Sequence, residues 1–132
     1  MTGFYLGVDP GRDKTGLSLV DEQGLIKKVL VVPTVSLEEQ VLLLSAEAGT
    51  LVIGNGTHSR EIVELIKKLL PGKSLVVVDE KHSTEEARRL YWQEHPPEGL
   101  RRMLPLGLQF PPEPLDGYAA AILVRRHLAT LK

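Results

Sequence analysis

The chain has 132 residues, 42% of them hydrophobic and 25% charged, with a formal net charge of −1, which describes one soluble globular domain over residues 1–132. That charge excludes nucleic-acid binding by bulk electrostatics, so any such contact needs a local basic patch. The lack of cysteine excludes a disulfide framework and a thiolate zinc site and fits a reducing cytoplasm, and no apolar run approaches the roughly 20 residues of a membrane helix.

Phe4, Tyr5, Leu6 and Val8 make an apolar run that ends in Asp9. Pro10 and Gly11 interrupt it, and Leu17, Leu19 and Val20 resume it after Gly16, which predicts a β-hairpin over 4–9 and 15–20. Asp21-Glu22-Gln23-Gly24 is turn chemistry, and Leu25 to Val32 reads as a third strand. Short connections make these three an antiparallel meander. After Pro33, Ser36 with Glu39 has the capping-box pattern of a helix start. Leu37, Val41, Leu44 and Ala48 follow at helical spacing, and Gly49 stands as the C-terminal cap.

Thr50 to Ile53 is a short buried strand closed by Gly54-Asn55-Gly56. Ser59 to Leu70 is helical, with Ile62, Val63, Ile66, Leu69 and Leu70 on one side, and Pro71-Gly72 stops it. Ser74 to Val78 is a fifth strand that ends in Asp79-Glu80. Ser83 or Thr84 caps a helix running to about Glu94. His95 to Pro114 holds six of the nine prolines but keeps Leu100, Met103, Leu106 and Phe110, and reads as an ordered loop. Leu115 to Leu131 is the last helix. The order predicts an α/β fold with one five-stranded mixed sheet. Its antiparallel meander is followed by parallel fourth and fifth strands, with helices on both faces.

Three acids stand at element ends: Asp9 after the first strand, Glu80 after the fifth, Asp116 at the start of the last helix. Open sheets of this kind gather ligands at the carboxyl ends of their strands. An unpaired buried carboxylate is costly, so Asp9 must meet water, a hydrogen-bond donor, a cation or a metal. An Asp before Pro-Gly is equally a turn residue, Asp79-Glu80 a solvated strand end, and Asp116 a first-turn acid that complements the helix dipole. Taken together, the three make an all-oxygen set that suits Mg²⁺ or Mn²⁺, and two such ions could clamp the attacking water and the leaving oxygen of a phosphodiester.

Three blocks resemble the YqgF (RuvX) type of RNase H-like nuclease, the Holliday-junction-resolvase group related to RuvC. They are Gly7-Val8-Asp9-Pro10-Gly11 with Gly16, Val78-Asp79-Glu80-Lys81-His82-Ser83-Thr84-Glu85-Glu86-Ala87, and Asp116-Gly117-Tyr118-Ala119-Ala120-Ala121-Ile122-Leu123. The resemblance implies an RNase H-like sheet and metal-dependent cleavage of structured nucleic acid, either ribosomal RNA precursor or branched DNA. It implies Asp9, Glu80 and Asp116 as the catalytic, metal-holding triad. A homodimer would suit two-fold junctions.

Three departures stand out, one of them the proline-rich loop before Asp116, where the family often carries lysines. Lys81 replaces the usual Arg and loses its bidentate fork. The Gly54-Asn55-Gly56-Thr57 loop differs from the family's Gly-Leu-Pro loop. It is nearer the YqgF-type domain of Tex-like transcription accessory proteins, where a non-catalytic nucleic-acid-binding role is the alternative.

Around this triad, Arg12, Lys14, Lys81, Arg101 and Arg102 are candidates for the local basic patch. Asn55, Thr57 and Arg60 lie at a strand-to-helix loop whose backbone could cradle a phosphate, or which is a plain left-handed turn. A phosphotransferase of the actin/hexokinase kind opens with a similar hairpin, but needs two such lobes where this length holds one.

Overall fold

The computed structural model describes residues 3–96 and 115–131. Most of the proline-rich stretch, with Arg101 and Arg102, lies outside these residues. Five strands are formed: β1 (Phe4–Asp9), β2 (Lys14–Asp21), β3 (Ile26–Pro33), β4 (Thr50–Gly54) and β5 (Ser74–Val78). The helices are α1 (Leu37–Ser45), α2 (Ser59–Leu69), α3 (Ser83–Glu94) and α4 (Asp116–Thr130).

The strands form one sheet in the order β3-β2-β1-β4-β5, with β1 at its centre. β2 pairs antiparallel with β1 and β3, while β4 pairs parallel with β1 and β5. The ends of β1, β4 and β5 and the start of β2 therefore share one rim.

Side-chain parity divides the core. Leu6, Val8, Leu17, Leu19, Leu51 and Ile53 pack on one face against Val41 and Leu44 of α1 and Ile62 and Ile66 of α2. Val20 and Val52 face the other way, against Leu90 and Trp92 of α3 and Ile122, Leu123 and Val124 of α4. Alternation along β1 puts Gly7 and Asp9 on this second face, opposite Leu6 and Val8. Both faces are covered, which explains why β1 and β4 read as nearly continuous apolar runs.

Glycine allows α4 to lie close on the sheet. A Cβ on Gly7 would collide with the backbone carbonyl of Ala120, and one on Gly16 with the carbonyl of Asp116. A Cβ on Gly117 would meet the Val29 side chain. This mutual fit sets the first turn of α4, and with it Asp116, against the start of β2.

Helix starts and stops differ from the sequence reading in detail. Ser36 makes no capping hydrogen bond, because a 3-10 turn over Thr34–Ser36 precedes α1 and hands the chain directly into it. Gly49 is not a left-handed cap; α1 ends at Ser45, and the Gly49 N–H donates to the Phe4 carbonyl at 3.0 Å. Neither Ser83 nor Thr84 caps α3. The cap position is His82, left-handed at φ 64°, because the chain reverses there in a tight turn closed by Ser83 N–H to the Glu80 carbonyl at 3.0 Å.

Candidate active site

Asp9 ends β1 opposite Gly16 of β2, at the middle of the rim. Its carboxyl is raised from 3.8 to about 7, first by burial, then by the negative charges of Glu80 and Asp116. The structure thus brings all three sequence-predicted acids into electrostatic reach of one another. They come from the centre of the sheet, from its edge and from a helix across one face.

Each acid is positioned by different means. Asp116 is set by the glycine bed under α4. Glu80 follows Asp79, whose Oδ1 accepts the Lys81 N–H at 3.0 Å, so Asp79 is the turn residue and Glu80 is the acid whose charge reaches Asp9. The Glu80 N–H donates to Asn55 Oδ1 at 3.1 Å, and its Oε1 accepts the Gly56 N–H at 2.9 Å.

This corrects one expectation for the Gly54–Thr57 loop. Asn55 Oδ1 and the Gly56 amide are engaged with Glu80 rather than open to a phosphate. Nor is the loop a left-handed turn, since among the described residues only Gly24, Gly72 and His82 have positive φ.

Of the candidate contact residues, those that are described lie along the same rim. Arg12 and Lys14 are exposed in and beside the β1–β2 turn, with Arg12 at 3.8 Å from Asp13. Thr57 and Arg60 are exposed at the start of α2, and Lys81 is exposed beside Glu80.

Two anchoring residues were missed by the sequence reading. Thr34 Oγ1 donates to the Gly11 carbonyl at 2.9 Å and lies 3.0 Å from Thr15 Oγ1, while its N–H donates to the Asp13 carbonyl at 2.9 Å. Together these bonds staple the β1–β2 turn to the end of β3. Arg126 donates from Nη1 to the Asp79 carbonyl at 2.6 Å and from Nη2 to Glu86 at 2.9 Å, tying β5 and α3 to α4. Neither has a local motif, because both join segments distant in sequence.

Carboxylate oxygens that repel one another are the right kind of donors for a hard divalent cation. Their arrangement is looser than a ligand shell. Among the described residues no group of three or more His, Cys, Asp or Glu side chains is placed to hold a metal ion. Glu80, bonded to the Gly56 amide, is drawn toward the β4–α2 loop. Among the described residues, no helix is long and apolar enough to cross a membrane.

No protein-family model and no curated protein matches the chain. Solved structures do. The resolvase of Fowlpox virus, determined in complex with its substrate Holliday junction DNA, superposes with a TM-score of 0.62 at 13% identity, over 97% of this chain and 98% of the resolvase chain. A ROK-family glucokinase from Streptomyces griseus, determined with glucose and AMPPNP, gives 0.44 at 18% identity over 65% of this chain and 36% of its own. The glucokinase likeness is too low to carry an argument. The likeness to the resolvase establishes the fold: this chain is an α/β protein with a five-stranded mixed sheet, of the architecture found in a Holliday-junction resolvase.

Proposed function

We propose that the chain is a nuclease that hydrolyses phosphodiester bonds in structured nucleic acid, of the YqgF/RuvX kind, acting on Holliday-junction-like DNA or on ribosomal RNA precursor. The observation that carries the proposal is the state of Asp9. A carboxyl is kept at about 7 on a strand end by burial and by two more acids from distant segments. Such an arrangement costs stability and is expected where function requires it.

Asp9, Glu80 and Asp116 are the residues that would hold Mg²⁺ or Mn²⁺. A cation there would relieve their mutual repulsion; when bound, it supplies Lewis-acid polarisation of the phosphodiester and a more acidic water. The chain's own contribution is orientation. The rigid β1 end fixes Asp9, the helix bed fixes Asp116, and the β5–α3 turn presents Glu80. Exposed Arg12, Lys14, Arg60 and Lys81 lie in or beside the loops of the same rim and would supply the cationic phosphate contacts that the net charge denies the molecule as a whole. The resolvase fold supports this reading, since that protein's substrate is a Holliday junction. A homodimer in the cytoplasm is the assembly and location that the proposal implies.

A second reading is a non-catalytic nucleic-acid-binding module of the same fold. It is favoured by the looseness of the acids, which form no three-member metal-holding group among the described residues. One experiment separates the two. Wild type and Asp9→Asn are assayed with Mn²⁺ on a four-way DNA junction and an rRNA precursor, with binding measured in parallel. The nuclease reading expects cleavage by wild type, and binding without cleavage by the variant. Binding without cleavage by both proteins selects the module; neither binding nor cleavage by wild type sinks both readings.

A further inference from the structure

The Gly54-Asn55-Gly56 loop has a purpose that neither of its sequence readings supplies. Gly54 and Gly56 have no positive φ, so their backbones would accept alanine. What they lack is room. A Cβ on Gly54 would lie 2.6 Å from Glu80 Oε1, and one on Gly56 2.6 Å from Glu80 Oε2. The carboxylate rests on the two glycines as on a floor.

The same loop holds Glu80 by its hydrogen bonds. Gly56 N–H donates to Oε1 at 2.9 Å, and Asn55 Oδ1 accepts the Glu80 N–H at 3.1 Å. The Asn55 N–H donates to the Val78 carbonyl at 3.0 Å, which locks the loop to the end of β5. Backbone and side chain of Glu80 are thus both set by three consecutive residues of the neighbouring strand end.

We propose that Gly54, Asn55 and Gly56 form a carboxylate seat that positions Glu80, and that Asn55 and Gly56 are positioning residues of the active site. The catalytic consequence rests on the nuclease reading above; the seat itself does not. One backbone donor occupies one of about four lone-pair positions of a carboxylate. The remaining positions stay open to a cation, while the side chain loses its rotational freedom. Outer-shell partners of this kind typically change metal affinity 10–100-fold when removed.

The test has two arms. The first uses metal-free protein and follows hydrogen exchange of the Gly56 amide by NMR. Glu80→Ala should accelerate that exchange at least about tenfold relative to neighbouring amides of the loop. Unchanged exchange would overturn the seat.

The second arm titrates Mn²⁺ by electron paramagnetic resonance. Gly56→Ala should weaken binding about tenfold or more. Because Asp is one methylene shorter and can clear the new methyl, Gly56→Ala should cost less in a Glu80→Asp background, and nothing in a Glu80→Ala background. An equal loss in the Glu80→Ala background would mean that the substitution acts on folding and not on Glu80. Tighter Mn²⁺ binding by Gly56→Ala would overturn the proposal too, since the loop would then be withholding Glu80. If the exchange arm succeeds while wild type binds no Mn²⁺ and cleaves nothing, the seat stands and the nuclease reading falls.

Discussion

Asp9→Asn should stabilise the protein at neutral and alkaline pH. The native carboxyl is raised to about 7 from 3.8, so between those values the folded state binds more protons than the unfolded state. Stability therefore falls as pH rises from about 4 to about 7, and the full loss persists above 7. At about 1.4 kcal/mol per tenfold change in acidity, the shift corresponds to about 4 kcal/mol. Water at the open rim and relaxation of Glu80 and Asp116 reduce this to roughly 2–4 kcal/mol.

The assay is urea unfolding from pH 4.5 to 8.5 without divalent ions. Trp92, the single tryptophan, is buried at 6% exposure in the α3–α4 core and serves as the fluorophore. The rest of the chain is common to both proteins, so the difference between wild type and Asp9→Asn isolates the site. That difference should grow in favour of the variant with rising pH. At pH 8, Mn²⁺ at about 100 times its dissociation constant should return about 2.7 kcal/mol to wild type and much less to the variant. Parallel pH curves for the two proteins would refute the reasoning, because Asp9 would then carry no burial or repulsion cost.

Three further outcomes are expected. Gly16→Ala drives a methyl into the backbone carbonyl of Asp116, so it should cost about 3 kcal/mol in thermal or urea unfolding and weaken Mn²⁺ binding by displacing α4. Arg126→Ala removes the bonds to Asp79 and Glu86; about 1–3 kcal/mol should be lost, with faster amide exchange concentrated at the β5–α3 junction. Lys81→Ala should leave stability within about 0.5 kcal/mol, yet weaken junction binding and lower the salt-dependence slope by about one, as read from binding isotherms at several salt concentrations.

The fold was legible because its signals are local. Apolar runs punctuated by Pro10-Gly11, Gly24 and Pro71-Gly72 delimit the strands, and the helical spacing of Ile62 and Ile66 gives the buried side of α2. Cap chemistry was less reliable. Ser36 and Glu39 have the capping-box spacing, yet the 3-10 turn from Thr34 arrives first and leaves that pattern unused. His82, rather than a capping Ser or Thr, holds the position before α3, where the turn closed by the Ser83 N–H and the Glu80 carbonyl is left-handed. Thr34 and Arg126 were invisible because their partners lie far along the chain.

The glycines show why the acidic residues could be picked out as a set while their supports could not. A glycine in a sequence signals missing bulk without naming what fills the space. At Gly24 the reason is a left-handed turn, at φ 87°. At Gly7 and Gly16 it is the backbone of α4, which must come close enough to set Asp116 beside Asp9. At Gly54 and Gly56 it is a carboxylate from the neighbouring strand. These three causes look alike in one dimension, and only the last two bear on the placement of the three acids. An acid at an element end can be seen without its neighbours; the space that aims it belongs to another segment. The placement of Glu80 therefore depends on residues about 25 positions away, and a substitution there should disturb the site as surely as one in the triad.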